Sequence, residues 1–399
     1  MKININKLKD LKEENIYSIK KEYIKFPIKN KRNFGIDLAR IVSMIFIIGH
    51  HIIYHGGPLF QTEKFTFQHQ THIFLNVIFC SGVNVFGMIS GFVGFHSHKY
   101  SNLLHLFLIT LFYSILIACI FKYFNPKLIN DIKNFLYPVF ITDYWYFDCY
   151  FMMYFYLPLI NKGIIGMELK EMKYFILILF LIFSCLGEIK NYTEIFASRD
   201  ILKLNYGFST YWLLILYFYG SYLGKFKVDK NNNKNYFYYL KYYILLFFSA
   251  LIRTKIIINK MKRNNYNIAI NVDYPAPSEV LISFSLIMIF STYNINNKTL
   301  IKLIKFFAPL TYGVYLIHNH VLVRLNIINK YFLWLLKFQK SNIIFCFEFL
   351  CILGIFILCS LIDYIRAQFF KLFKIKILLD KFENTTKIIY DKYYLFINI

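Results

Sequence analysis

Charged side chains are scarce in this chain. Asp, Glu, Lys and Arg make up only 17% of its 399 residues, against roughly a quarter in ordinary soluble domains. That shortfall excludes a protein that presents its whole surface to water. Proline-rich linkers, glycine-rich phosphate loops and internal repeats are also missing, so the chain reads as one bundle without an appended soluble domain. Its seven cysteines (Cys80, Cys119, Cys149, Cys185, Cys346, Cys351, Cys359) fall in apolar runs at no metal-site spacing. They imply no disulfide framework and read as small buried apolar side chains.

Apolar and aromatic residues are abundant. Hydrophobic residues make up 57% of the chain, with 45 Phe and 34 Tyr, and the mean hydropathy is +0.45. A disordered chain could not keep that surface in water. The composition predicts an all-α polytopic membrane bundle. A helix crossing a hydrocarbon core of about 30 Å needs about 17 to 25 apolar residues. Ten stretches come close to that: 36–55, 72–95, 103–121, 144–160, 173–187, 208–224, 236–252, 278–293, 303–323 and 343–365. The fifth and eighth are short, and the seventh contains Lys241.

The net charge of +24 gains meaning once the cations are placed between these stretches. With the N-terminus in the cytoplasm, 28 of the 46 Lys and Arg lie inside and 16 outside, which favours both termini on the cytoplasmic side. The outer segment Arg253 to Arg263, with five cations, works against that bias. Residues 1–34 and 367–399 are expected to be basic cytoplasmic tails around a membrane domain at 35–366. The first mixes its cations with Asp10, Glu13, Glu14 and Glu22 and is too long and acidic for a signal peptide. Anionic membrane lipids, not nucleic acid, are the partners such tails predict.

Polar residues at membrane depth cost free energy, so function is sought there first. The first stretch is the richest, running from Gly35 through Asp37, Arg40, His50, His51 and His55 to Pro58. On a helix, Arg40 and His51 are separated by about 20° in azimuth and about 16 Å in height, with Asp37 within about 60° of Arg40. One polar stripe results, and His50 points about 100° away from it. A purely structural reading stays open: Arg40 snorkelling or pairing with Asp37, and the histidines capping the outer helix end.

An Arg and a His separated by ten residues in the first helix resemble acyltransferase family 3, integral-membrane acyltransferases of cell-surface glycans and lipids. Three further stretches resemble the same family. They are Phe86-Gly-Met-Ile-Ser90-Gly91-Phe92, the run from Trp145-Tyr-Phe-Asp148-Cys-Tyr150 to Leu157-Pro158-Leu-Ile-Asn161, and Tyr312-Gly-Val-Tyr315-Leu-Ile-His318. The likeness covers residue 34 to about residue 366. Where many members carry a pair of arginines three apart, this chain has His96, His98 and Lys99, with Lys99 as a point-charge substitute at a donor phosphate.

The resemblance implies an enzyme at the cell membrane, with no tightly bound cofactor. It would move an acyl group, most often acetyl, from cytoplasmic acyl-CoA (acetyl-CoA) to a hydroxyl of a surface polysaccharide or lipid-linked saccharide. A hydroxyl needs a base near its proton, and an imidazole suits that work. His51 is the expected base, or a residue that itself becomes acylated and relays the group. Arg40, oriented by Asp37, would meet the donor. Ser90, Lys99, Trp145, Asp148, Tyr150, Tyr315 and His318 are further candidates for substrate contact, with packing as the alternative. His50, His51, His55, His69 and His72 invite a metal, but no nearby carboxylate except Glu63 completes a ligand set, and no metal is expected. The competing class is a transporter or flippase for polysaccharide precursors, for which paired repeats and Gly/Pro-broken half-helices would speak.

Overall fold

The computed structural model describes residues 32–96, 98–129, 135–136, 144–193, 202, 204–227, 236–263, 273–338 and 340–397. Nearly all of the expected N-terminal tail lies outside this set. Among the described residues every regular element is helical. The helices are α1 (Phe34–His50), α2 (Phe67–Gly94), α3 (Tyr100–Phe124), α4 (Trp145–Gly166), α5 (Leu169–Leu179), α6 (Thr210–Tyr222), α7 (Tyr236–Arg263), α8 (Pro277–Thr292), α9 (Lys298–Phe307), α10 (Thr311–His318), α11 (Ser341–Leu372) and α12 (Ile375–Ile397). α5 continues through wide turns to Thr193, and a tight turn at Ala308–Leu310 joins α9 to α10.

Each of the ten apolar stretches falls on helix. Among the described residues six segments are long and apolar enough to cross a membrane: Phe34–Gln61, Phe67–Gly94, Tyr100–Phe124, Leu169–Ile189, Lys298–His318 and Ser341–Leu372. α8, at 16 residues, is a shorter apolar helix. α4, α6 and α7 occupy the other three positions, and their departures have plain causes. α4 carries Asp148 and Lys162, α6 is 13 residues long, and α7 carries Lys241 and a cationic last turn. The ninth stretch ends early, at His318, because Asn319 and His320 break the helix before Val321.

Between helices in lipid, hydrocarbon offers no hydrophobic drive, so close backbone packing has to hold the bundle. α2 meets α6 and the wide turn that follows it through two small-residue pairs spaced by four, Gly87 with Gly91 and Gly220 with Gly224. A methyl group at Gly220 would stand 1.8 Å from the Met88 carbonyl oxygen, and one at Gly91 would stand 2.0 Å from that of Tyr217. No side chain fits either place. Trp212 donates its indole N–H to Asn84 at 3.0 Å, and the Ser221 hydroxyl donates to the Gly91 carbonyl at 3.2 Å. Ser90-Gly91-Phe92 is therefore a helix crossing within α2.

α10 and α11 repeat the device with a charge. The buried Asp363 carboxylate lies against Gly313, where a methyl group would stand 2.0 Å from its carbon. Arg366 holds that carboxylate in two hydrogen bonds of 2.9 and 2.8 Å, and the Tyr113 hydroxyl of α3 donates a third at 2.8 Å. The ion is paired and fully engaged, the condition under which a buried charge is tolerated.

The segment from Arg253 to Arg263 is the end of α7, and Arg253 is only 5% exposed. Its guanidinium pairs with Glu188 at 3.1 Å and Asp273 at 3.5 Å, so it is not a free loop cation. Nor are all the cysteines buried, since Cys119 and Cys346 are exposed on their helices. Residues 375–397, expected as tail, form α12, which packs on the start of α3.

Candidate functional site

α1 passes through the middle of the fold, against α2, α8 and α11, and its last α-helical residue is His50. The chain then widens into a π turn over His51–His55. Such turns shift the helical register and recur at functional sites. Three imidazoles gather at this turn. The His50 and His51 rings are 5.5 Å apart by centroid, His51 and His55 are 5.3 Å apart, and one ring nitrogen from each of the three lies within 4.8 Å of the others. His50 and His51 both line the same pocket.

The tautomers of two flanking rings follow from their partners. His318 places Nδ1 2.6 Å from the Val314 carbonyl oxygen, which can only accept, so Nδ1 carries the proton and Nε2 keeps a lone pair. His50 Nδ1 is 2.8 Å from Asn76 Oδ1 and donates in the same way. The His318 ring stands 5.1 Å from that of His51. His51 Nδ1 and His318 Nε2 are both buried with no hydrogen-bond partner among the described residues. Buried polar atoms in that condition need an explanation, and a substrate or water is the usual one.

Both His50 and His51 open onto a narrow pocket of about 50 Å³. Its walls are aromatic and apolar, including Trp145, Tyr146, Tyr274 and Tyr315, with Asn319 as a polar exception. Asn319 Oδ1 is buried and unpartnered. A largely apolar pocket with a few convergent polar groups is the ordinary form of a ligand site.

Arg40 lies below this pocket. Met44 and Ile47 of the same helix line the wall, one and two turns above it, whereas Arg40 does not. Its guanidinium reaches Asp37 at 3.2 Å and remains 27% exposed, while Asp37 is buried. The expected orienting pair is present, and Tyr150 lies within its electrostatic reach.

Of the other expected residues, Trp145 and Tyr315 line the pocket and His318 abuts His51. Asp148, half-buried on α4, is in electrostatic reach of Tyr312 and Tyr315. Ser90 is turned back onto its own helix, donating to the Phe86 carbonyl at 3.1 Å. Lys99 stands at the start of α3, with an exposed side chain and a carbonyl that accepts from the Tyr154 hydroxyl. The five-histidine group divides. His72 pairs with Glu348 at 2.9 Å, and His69 accepts from the Phe65 amide. Asn76, Tyr274 and Asn319 were not foreseen. Asn319 alone had a local signal, as the amide that follows His318 where the helix ends.

A family model described as an acyltransferase domain, that of acyltransferase family 3, matches residues 33–364. The chain belongs to this family and is a multi-pass membrane acyltransferase. No curated protein and no solved structure matches it.

Proposed function

We propose that this protein is a membrane O-acyltransferase that moves an acyl group, acetyl by preference, from cytoplasmic acyl-CoA to a hydroxyl of a surface polysaccharide or lipid-linked saccharide. The observation that carries the reading is His51, a buried imidazole with an unpartnered nitrogen at the wall of an aromatic pocket. Its depth fits the task. At 1.5 Å per residue, His51 stands about 25 Å above the start of α1, so an acceptor reaches it from the face opposite the termini. In this reading both termini are cytoplasmic and ten helices cross the membrane.

The acceptor hydroxyl loses its proton to His51 as its oxygen bonds to the thioester carbonyl carbon. The carbon–sulfur bond then breaks, and the proton passes from His51 to the departing thiolate. The products are an ester and free CoA thiol. Arg40, with Asp37 fixing its fork, binds the donor as it enters, and the stacked ring faces of Trp145 and Tyr274 suit the apolar face of a sugar. Aromatic walls also keep out the water that would hydrolyse the thioester.

The test is reconstitution of the purified chain in membranes with radiolabelled acetyl-CoA and a glycan acceptor. Label should move to the acceptor, and His51→Ala should lower the rate by about 10²- to 10⁴-fold, the usual contribution of a general base. Equal transfer by both forms would remove His51 from the chemistry.

A further inference from the structure

A second cavity, of about 390 Å³, lies between α3, α10, α11 and α12. Arg366, Lys371, Lys374, Lys376 and His105 line it, together with Tyr312. Two of the four cations are offset: Arg366 by Asp363 and Lys376 by Asp380 at 3.2 Å. The side chains of Lys371 and Lys374 have no ion-pair or hydrogen-bond partner among the described residues, and both residues are exposed. An aromatic ring stands among these charges, for Phe370 also lines the cavity, under the Arg366 guanidinium at 5.1 Å. Lys374 is held at φ 52° between α11 and α12. A side chain rarely adopts that backbone, and such strain persists where the surroundings impose it.

Tyr312 decides what this place is for. It borders both this cavity and the pocket that holds His51. Tyr312 to His318 is six residues of α10, about 9 Å of rise. A ligand whose anionic head filled the basic cavity could therefore extend a thin arm past Tyr312 to the imidazoles.

We infer that this cavity between α3, α10, α11 and α12 is the docking site for the phosphate-bearing nucleotide head of the acyl donor, with Lys371 and Lys374 as the phosphate contacts and Tyr312 at the passage to His51. The inference rests on the acyl-CoA reading above and moves the phosphates away from Lys99. A phospholipid head group shares the anionic chemistry, but it has no flat base to stack on Phe370.

The full-length chain in nanodiscs tests this. Lys371→Gln/Lys374→Gln should raise KM for acetyl-CoA about tenfold, the equivalent of about 1.4 kcal/mol, and weaken calorimetric binding of adenosine 3′,5′-bisphosphate to match. KM for S-acetylpantetheine, which has no nucleotide, should be unmoved, as should the acetyl-CoA KM of Lys122→Gln at the other end of α3. Lys374→Gly removes the cation and relaxes the backbone, so it should raise the melting temperature while lowering nucleotide affinity. An unchanged KM in an active double variant would overturn the site and leave the acyltransferase reading intact. Nucleotide binding by a parent that transfers no acetyl would instead sink the acyl-CoA reading. Stabilisation by phosphatidylglycerol nanodiscs, lost in the double variant while nucleotide binding is unaffected, would make the cavity a lipid site and refute the inference.

Discussion

The His318 ring stands 5.1 Å from that of His51, and its one protonated nitrogen is tied to the Val314 carbonyl. The bare nitrogen is therefore an acceptor fixed beside the proposed base. It can take a hydrogen bond from a bound water or from His51 once that ring is protonated, but it cannot donate one. His318→Ala should cost about tenfold in transfer rate, the worth of one hydrogen bond to a charged group, whereas His318→Gln should retain part of that through its amide oxygen. Steady-state rates of the two variants in the reconstituted system check this. A loss in His318→Ala as deep as that of His51→Ala would exchange the roles assigned to the two rings.

Gly313 and Asp363 form a close junction between α10 and α11. A methyl group at Gly313 has to displace a carboxylate held by Arg366 and Tyr113, so Gly313→Ala should destabilise the protein by about 1 to 3 kcal/mol as overpacking does. Asp363→Ala should cost about 3 to 5 kcal/mol by leaving Arg366 buried and unpaired. The double variant should cost less than the sum, because the methyl then meets no carboxylate. Thermal unfolding in detergent measures all three, and strict additivity would contradict the contact.

How far these features could be read in the sequence depended on range. Asp37 with Arg40 was legible because i, i+3 neighbours on a helix meet whatever surrounds them. The π turn that follows His50 was not legible, because nothing in His-Ile-Ile-Tyr-His announces one. The partners of Asp363, at Gly313 and Tyr113, lie 50 and 250 residues away and belong to no local pattern. Tyr312 stood in a motif, but its place between two cavities exists only once α3, α10 and α11 are packed.

The α2 and α6 crossing makes a prediction that needs no assay of activity. Gly220→Leu should prevent the two backbones from meeting at Met88 and Gly91, because the added atoms face a carbonyl oxygen and not a movable side chain. Retained protein should fall sharply in detergent extracts analysed by size exclusion. Gly166→Leu, at a helix end with open space around it, should give the parental profile. Monodisperse Gly220→Leu at parental yield would show that the helices do not cross there.

The last prediction concerns α12, which lies outside the apolar spans. Lys99 supplies no side-chain cap to α3. Instead, Glu383 of α12 accepts the Tyr100 and Ser101 amides at 2.7 and 3.0 Å, and Asp380 accepts the Ser101 hydroxyl at 2.6 Å. A carboxylate at a helix N-terminus is favoured by both hydrogen bonding and the helix dipole. The Ser101 hydroxyl bond is the largest influence holding Asp380 below its ordinary range. Burial pushes Glu383 upward, but the Ser101 and Tyr100 bonds outweigh it and hold that group low as well, with Lys99 and Lys376 adding to the effect. Because both are depressed in the docked state, their contribution is fully present above the ordinary carboxylate range and is lost as pH falls through the lowered values. Exchange of the Tyr100 and Ser101 amides with deuterium, corrected for intrinsic rates, should stay slow from neutral pH to about pH 5 and accelerate only below about pH 4. Glu383→Gln should abolish most of that acid dependence and leave the amides less protected at neutral pH. Protection lost between about pH 7 and pH 6 would point to a histidine such as His98, which feels the charge of Glu383, and would remove the carboxylates from control of the docking.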